Sequence, residues 1–262
     1  MILLHEREDL EVFSFIFGVL FGSFLNVLII RLPLNKDFVK ARSACTKCNQ
    51  TINWYHNIPI FSYLFLKGKC SYCGEKISIQ YLIVEVLTGV LTLALFIKLG
   101  IGKEFLYALI FVYTLIVLSF IDFKYKAVPD YLLLIALFFS FFVTSYNLID
   151  ALKYAFIISG AFVLLNFVVT FYIQNIKAKI TKDESLKTQE ALGEGDIPIL
   201  ASIGAILGIK GAFIAIFLAS IFAIIPSIYF IIKKKDIQTP FIPYLVLGFL
   251  VEYFFDVLKV FS

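Results

Sequence analysis

Two aspartates at the ends of long apolar segments are the residues of this chain best suited to chemistry. Asp122 ends an almost uninterrupted apolar run over 105–121, and Asp196 begins another run directly after a Gly-Glu-Gly string. A carboxylate at the centre of a membrane helix costs about 2.5–3.5 kcal/mol, and less near the interface, so acids in such segments are usually functional. Two carboxylates can divide acid–base work, with one activating a water and the other protonating the leaving group. The pair therefore predicts a hydrolytic site.

The approach to the second aspartate is built for close backbone contact. Gly193 and Gly195 flank a single residue, and a backbone without side chains can come close to a ligand or to another helix. Pro198 follows Asp196 within the first turn of the next segment, where its missing N–H would be unpaired in any case. The string predicts a flexible connection, then the acid, then a helix.

Two further acids have both structural and functional interpretations. Asp130 follows a proline at the start of an apolar segment, and an acid near a helix N-terminus is favoured by the helix dipole. That structural role is preferred here to direct catalysis. Glu85 lies about one turn inside an apolar segment, where it is predicted to pair with Arg31 or Arg42 or, alternatively, to bind substrate.

Four cysteines form two Cys-x-x-Cys pairs, Cys45 with Cys48 and Cys70 with Cys73, separated by 21 residues. This spacing is typical of a four-thiolate zinc site. The alternatives are disulfides or free thiols, and a cytoplasmic location would argue against disulfides. Four sulfur ligands leave no open position on the metal, so the zinc would be structural. Water activation then falls to the aspartates.

The composition predicts a multi-span membrane protein. Of the 262 residues, 61% are hydrophobic, and the mean hydropathy is +0.93, far above the values of soluble domains. The basic residues lie between apolar segments, so the charge does not indicate nucleic-acid binding. The acidic first residues do not resemble a cleavable signal, and the first span is expected to be retained. Eight spans are predicted, at 12–30, 81–97, 105–121, 131–146, 151–173, 197–207, 211–232 and 242–260.

The distribution of lysine and arginine predicts the orientation of these spans. Seventeen basic residues fall in four connections on one side of the membrane, including the cysteine loop, and six fall on the other side. The positive-inside rule makes the crowded side cytoplasmic. Asp122, Asp196 and the cysteines then share the cytoplasmic face. The predicted organisation is an all-α polytopic protein with an N-terminal transmembrane helix (1–33), a cytoplasmic zinc-binding domain (34–80) and a seven-helix core (81–262).

The ordered motifs resemble the prepilin peptidase family, the type IV leader peptidases, which are membrane aspartyl proteases of the GxGD type. The resemblance spans nearly the whole chain. Its motifs are Gly22-Ser-Phe-Leu-Asn26 with Arg31-Leu-Pro33, the cysteine pairs, Gln80 to Glu85, Asp122 to Asp130, Gly193-Glu-Gly-Asp196 and Gly204 to Gly208.

This resemblance implies an activity and its participants. The substrates would be type IV prepilins or type II secretion pseudopilins at the bacterial inner membrane, cleaved after a glycine on the cytoplasmic side. The family's catalytic aspartates fall on Asp122 and Asp196. Members with the cysteine domain commonly also methylate the new N-terminal amine with S-adenosylmethionine, so both activities are expected.

One departure from the family pattern concerns a lysine. Many members place a lysine two residues after the second aspartate, where this chain has Pro198. Lys124 or Lys126 is the proposed substitute, because both follow Asp122 closely in sequence.

Two other functions remain as alternatives. In one, the chain is a peptidase whose zinc domain only scaffolds the fold. In the other, it is a transporter in which the aspartates relay protons. Transport would call for acids deep within the spans and for inverted repeats, whereas these acids lie at the rim and the sequence shows no repeat.

Overall fold

The computed structural model describes residues 2–38, 42–45, 47–182, 184–188, 193–232 and 240–261. Within these residues the chain is helical, and its only β pairing consists of two isolated bridges, Ala44 with Thr51 and Lys69 with Lys76. The α-helices, in chain order, are α1 (Ile2–Arg31), α2 (Phe61–Phe65), α3 (Gln80–Leu99), α4 (Lys103–Tyr125), α5 (Asp130–Val143), α6 (Leu148–Phe171), α7 (Ala178–Thr181), α8 (Asp196–Ile232), α9 (Ile242–Phe255) and α10 (Leu258–Phe261).

The predicted all-α membrane fold is confirmed. Among the residues that the structure describes, five stretches are long and apolar enough to cross a bilayer: Arg7–Leu34, Gln80–Leu99, Lys103–Tyr125, Leu148–Thr181 and Asp196–Ile228. Helix α8, to which the last of these belongs, contains the predicted sixth and seventh spans, and the shorter helices α5 and α9 correspond to the fourth and the eighth. Helix α9 ends at Phe255, before the predicted boundary at 260, because Asp256 adopts the left-handed conformation (φ 49°).

A break within α8 explains why the sequence indicates two spans there. Gly208 has φ 69° and ψ −175°, a conformation outside the helical region that glycine adopts without strain. A side chain at this position would meet the Tyr146 hydroxyl at 2.7 Å. Thr144 Oγ1 donates a hydrogen bond to the Ala205 carbonyl oxygen at 2.7 Å, which satisfies an acceptor that the break releases.

The chain divides into two compact units, residues 1–121 and 122–262. In the first unit α1 packs on α3, and Gly22 allows the close approach, because a Cβ there would lie 2.7 Å from Glu85 Cα. Asn26 is fully buried and donates from Nδ2 to the Tyr81 carbonyl oxygen at 3.0 Å. This hydrogen bond links α1 to the start of α3.

The second unit is organised around α8, on which α5, α6 and α9 pack. Gly248 of α9 lies directly against the Ala215 backbone of α8, with no room for a side chain between them. The start of α9 lies beside the start of α8, because Ile242 Cδ1 is 3.9 Å from where a Cβ on Gly195 would be. Lys40 and Lys233–Lys235, which contribute to the predicted orientation, lie outside the described residues.

Candidate functional site

Asp196 is held by the turn that the glycine string forms in front of it. It is the first residue of α8 and is buried, with 6% of its surface exposed. Its N–H donates to the Gly193 carbonyl oxygen at 3.1 Å, and the Gly193 N–H donates to the Asp196 carboxylate. Pro198 lies in the first helical turn, as predicted. Leu192, at the head of the string, lies outside the described residues.

Gly195 is required by packing, whereas Gly193 is not. A Cβ on Gly195 would lie 3.0 Å from Val128 Cγ2 and would also contact Leu133 and Ile242. A Cβ on Gly193 would have one neighbour, Asp196 Oδ2, at an ordinary 3.7 Å. The close backbone approach that the glycines predict is therefore concentrated at position 195.

Asp122 lies in the last turn of α4 and meets the N-terminus of α9. Its side chain is buried, with 8% of the residue exposed, and Oδ2 accepts the Ile242 N–H at 3.2 Å. The Phe241 N–H donates to the same carboxylate. The first N–H groups of a helix have no partner within it and carry the positive end of its dipole, so they form a natural site for an anion.

Sequence reasoning missed these donors, although a signal for them was present. Pro240 and Pro243 bracket Phe241 and Ile242 at the start of the last apolar segment. Proline in the first turn is typical of a helix N-terminus. A helix start of this kind is a candidate partner for a buried acid elsewhere in the chain.

The two aspartates are brought together within the second unit. Ile242 contributes to both surroundings, because its N–H binds Asp122 and its Cδ1 lies 3.9 Å from where a Gly195 Cβ would be. Asp122 and Asp196 are close enough for their charges to interact. Two buried acids in this arrangement are equipped to hold and move a proton between them and a water.

The residues near Asp122 in sequence are less enclosed. Asp130 is exposed at the first position of α5, directly after Pro129, which fits the role of an acid at a helix N-terminus. Lys124 is exposed, and its Nζ lies 5.2 Å from the centre of the Tyr125 ring. Lys126 adopts a left-handed conformation (φ 54°), and its N–H donates to the Asp122 carbonyl oxygen at 2.9 Å, which ends α4.

Glu85, in the first unit, binds the backbone of the cysteine region. It is buried in α3, with 7% of its surface exposed, and its Oε2 accepts the Ile60 N–H at 2.8 Å. The Ser23 hydroxyl also hydrogen-bonds to its carboxylate. Neither Ile60 nor Ser23 was anticipated as a partner from sequence, where arginines were the expected ones.

The four cysteines converge on one point of the first unit. Their sulfur atoms all lie within 4.8 Å of one another, and Cys45 Sγ is 3.8 Å from Cys73 Sγ. Four thiolates about 2.3 Å from a tetrahedral metal would be about 3.8 Å apart, so the donor set and its spacing fit a metal ion. The turn after Cys70 is closed by the Gly74 N–H, which donates to the Cys70 carbonyl oxygen at 2.9 Å with Gly74 at φ 70°.

Backbone and side-chain charges support this cluster. The N–H groups of Cys48 and Lys47 point to the Cys45 sulfur and lower the pKa of that thiol to about 6, which favours the thiolate that binds metal. Lys47 also forms an ion pair with Glu75, linking the two cysteine pairs. The hydrogen bond and charge of Lys47 lower the pKa of Glu75, and Glu75 in turn raises the pKa of Lys47.

The chain is a helical membrane protein with two acids buried at helix ends. This arrangement is suited to acid–base catalysis. The profile of the type IV leader peptidase family matches residues 109–228, which include both aspartates. That of the bacterial peptidase A24 N-terminal domain matches residues 16–99, which include all four cysteines. The chain belongs to the type IV leader peptidase family.

Proteins of similar sequence support the same family assignment over most of the chain. A Xanthomonas campestris protein is 31% identical over 90% of this chain and 88% of its own length, and one from Bacillus subtilis is 31% identical over 92% of both. A Myxococcus xanthus protein is 37% identical over 75% of this chain, which corresponds to 56% of the relative's length. All three are named prepilin leader peptidase/N-methyltransferase. No solved structure matches the chain significantly.

Proposed function

We propose that this chain removes the leader peptide of type IV prepilins or type II secretion pseudopilins, with Asp122 and Asp196 as the catalytic pair. The observation that carries the proposal is the burial of both carboxylates in one unit, with Asp122 bound to the α9 N-terminus and Asp196 at the start of α8. Membership of the leader peptidase family and the names of the relatives support prepilins as substrates.

The proposed chemistry divides one hydrolysis between the two acids. The ionised aspartate takes a proton from a water, which attacks the carbonyl carbon of the peptide bond after the leader's terminal glycine. The protonated aspartate donates its proton to the carbonyl oxygen and regains it when the tetrahedral intermediate collapses. The aspartate that took the water proton donates that proton to the leaving amine, and the C–N bond breaks. The products are a leader carboxylate and a mature pilin with a free N-terminal amine. Carboxylate pairs that share one proton are suited to this division of roles.

The second proposed activity is methylation of that new amine by S-adenosylmethionine, a donor that supplies an electrophilic methyl group. The names of the relatives support this activity. The alternative, a peptidase whose cysteine domain only scaffolds the fold, is distinguished in the same assay. Cleaved pilin that gains no labelled methyl group in the presence of the donor would favour scaffolding.

The metal that we propose for the four-cysteine cluster is zinc, bound by Cys45, Cys48, Cys70 and Cys73. The cluster consists of four cysteine sulfur atoms within 4.8 Å of one another, and four-cysteine sites of this kind are typical of structural zinc. It would close a loop too short to form a core of its own. We retain the proposed organisation of an N-terminal helix (1–33), a zinc domain (34–80) and a peptidase core (81–262).

We further propose that the aspartates and the cysteine domain face the cytoplasm, at the inner membrane of a bacterium. The excess of basic residues in the connections on that side supports this orientation. An active site on the cytoplasmic side could reach the leader of a prepilin that has not yet been processed. The partners are then a prepilin and the lipid bilayer.

Six residues are proposed to support the pair. Gly195 allows the close approach of Asp196, Gly193 hydrogen-bonds to its carboxylate, and Asp130 stabilises the start of α5. Glu85 fixes the cysteine domain through the Ile60 N–H. Lys124 and Lys126 would place positive charge near Asp122, and Lys124→Ala and Lys126→Ala enzymes with unchanged pH–rate profiles would contradict that role.

The test uses the whole chain, expressed with a prepilin in a strain that lacks its own peptidase. Asp122→Asn and Asp196→Asn keep the side-chain volume but remove the proton-transfer group. Each is expected to lower the cleavage rate by about 10²–10⁴-fold, the usual contribution of general acid–base catalysis. The rate is measured from the mobility shift of the prepilin.

The matched control is Asp150→Asn, which makes the same change at an acid that is paired with Lys153 and lies outside both the buried pair and its proposed supporting residues. It is expected to process prepilin at nearly the wild-type rate. Membrane levels and metal content of all variants show whether a loss reflects misfolding. Full processing by either Asp122→Asn or Asp196→Asn would refute the catalytic pair.

A further inference from the structure

The connection between α1 and α3 carries exposed apolar side chains that its own fold does not cover. Trp54 is 78% exposed, Phe61 63%, Leu64 60% and Phe65 83%. These residues lie outside the spans, so contact with lipid through a spanning helix does not explain their exposure. Clustered apolar groups of this kind mark an interaction surface. We call these four residues the α2 surface.

The α2 surface is one connected local structure. The Ser62 hydroxyl of α2 donates to the Tyr55 carbonyl oxygen at 3.0 Å, which ties the short turn Trp54–His56 to the helix. The Trp54 and Tyr55 rings meet edge to face, with centroids 5.7 Å apart. Trp54 is therefore held next to α2.

A hydrogen bond fixes the depth of this structure relative to α3. Ile60, directly before α2, donates its N–H to Glu85 Oε2 at 2.8 Å. Glu85 follows the first residue of α3 by five positions, which is about 7.5 Å along the helix axis. Since α3 is long and apolar enough to cross a bilayer from its first residue onward, the start of α2 lies level with the second turn of a candidate membrane span.

Positive charge follows the apolar face. Lys67 and Lys69 follow α2 closely, and the backbones of Lys69 and Lys76 are joined in an isolated antiparallel β-bridge. All three lysines are exposed. Aromatic side chains at the depth of the headgroups with lysines beside them are characteristic of segments that lie in the interface of an anionic membrane.

We propose that the α2 surface inserts into the boundary between headgroups and acyl chains of the adjoining leaflet, with Lys67, Lys69 and Lys76 on anionic phospholipid headgroups. The occupant is the lipid surface itself. The insertion holds the cysteine domain against the membrane at a fixed depth, in addition to its two covalent connections. This inference does not depend on the proposed peptidase activity or on which side faces the cytoplasm.

Trp54 makes a direct test possible, because it is the only tryptophan in the chain. The full-length protein is placed in nanodiscs of phosphatidylcholine and phosphatidylglycerol whose scaffold protein lacks tryptophan. The discs contain a phospholipid with a nitroxide either high on the acyl chain or near its end. Insertion predicts that the shallow nitroxide quenches Trp54 emission most strongly, and that iodide in the buffer quenches it weakly. Quenching by iodide with none by either nitroxide would overturn the proposal.

Variants distinguish anchoring by α2 from accidental proximity. Phe61→Ser/Phe65→Ser is expected to shift Trp54 emission to longer wavelength and to transfer quenching from the shallow nitroxide to iodide. The matched control is Phe156→Ser, the same change at an exposed phenylalanine of α6, which leaves both unchanged. The variant Trp54→Phe/Phe65→Trp moves the reporter onto α2 and is expected to be quenched by the same nitroxide.

Charge and the competing occupant are tested in the same system. Lys67→Gln/Lys69→Gln is expected to weaken the shallow quenching more in discs with phosphatidylglycerol than in discs of phosphatidylcholine alone. In discs that contain the protein but no prepilin, iodide is expected to quench Trp54 only weakly if the proposal is right. If iodide quenches it strongly there, and protection appears only when prepilin is added, the α2 surface is a protein-docking site and the lipid proposal is wrong.

Discussion

The cysteine cluster and the aspartate pair are built in opposite ways. The cysteines lie close together in sequence, are partly or largely exposed, and are positioned by tight local turns such as the one that Gly74 closes. The aspartates are buried, and each depends on a helix start, with Asp122 bound by a residue 120 positions away. The first site needs mainly its own segment and the metal proposed for it, whereas the second needs the packing of α8 and α9.

The largest effect is expected from removing one cysteine ligand. Cys45→Ser leaves three thiolates, and since the proposed zinc would organise a segment without a core of its own, metal binding and local folding are expected to be lost together. Purified Cys45→Ser protein is expected to lose its zinc to a chelator that leaves the wild type loaded. Metal content is measured by elemental analysis of the full-length protein in detergent.

The counterpart in the second unit is Asp122→Asn, which is expected to retain zinc at the wild-type level while prepilin cleavage is lost. Metal retention then distinguishes the two sites, because only the cysteine variant is expected to lose zinc. A Cys45→Ser protein that holds zinc as firmly as the wild type would remove the basis for a four-thiolate site.

The same contrast explains how far the sequence could predict the structure. The spacing of Cys45, Cys48, Cys70 and Cys73 was enough to predict their convergence, because short turns fix that geometry locally. Apolar runs predicted the helices, including the interruption of α8 that Gly208 produces. These features depend on neighbours in sequence.

The partners of the buried acids could not be read in this way. The donor to Asp122 is the Ile242 N–H, and although the flanking prolines indicate a helix start there, nothing in the sequence pairs that helix start with Asp122. Glu85 likewise binds the Ile60 N–H, although arginines were the expected partners, because buried carboxylates are satisfied by whichever donors the packing supplies. The tight packing at Gly195 also depends on Val128, far away in sequence.

An intermediate effect is expected at the glycines before Asp196. Gly195→Ala places a methyl group 3.0 Å from Val128 Cγ2, and Gly195→Val adds two more carbons to the same crowded space. Displacing Asp196 by about 1 Å would lower the cleavage rate by about 10²-fold, and the valine variant is expected to approach that loss. The alanine variant is expected to cleave at a rate between those of the wild type and the valine variant. Initial rates of prepilin cleavage in detergent give the comparison.

Gly193→Ala is the control, because its methyl group meets only Asp196 Oδ2 at an ordinary distance of 3.7 Å. It is expected to cleave prepilin within a few-fold of the wild-type rate. Equal losses at positions 193 and 195 would mean that the glycines act through chain flexibility and not through packing against Val128.

The smallest effect is expected at the ion pair between Lys47 and Glu75, which joins the two cysteine turns at the surface. Glu75→Gln removes one charge but leaves its backbone carbonyl, which accepts the Cys70 N–H at 2.8 Å. Exposed ion pairs contribute little, because water already solvates both charges and salt screens them. Zinc retention against a chelator is therefore expected to change by less than about fivefold. A loss of zinc as large as that of Cys45→Ser would show that the cluster depends on this side-chain pair as well as on its local turns.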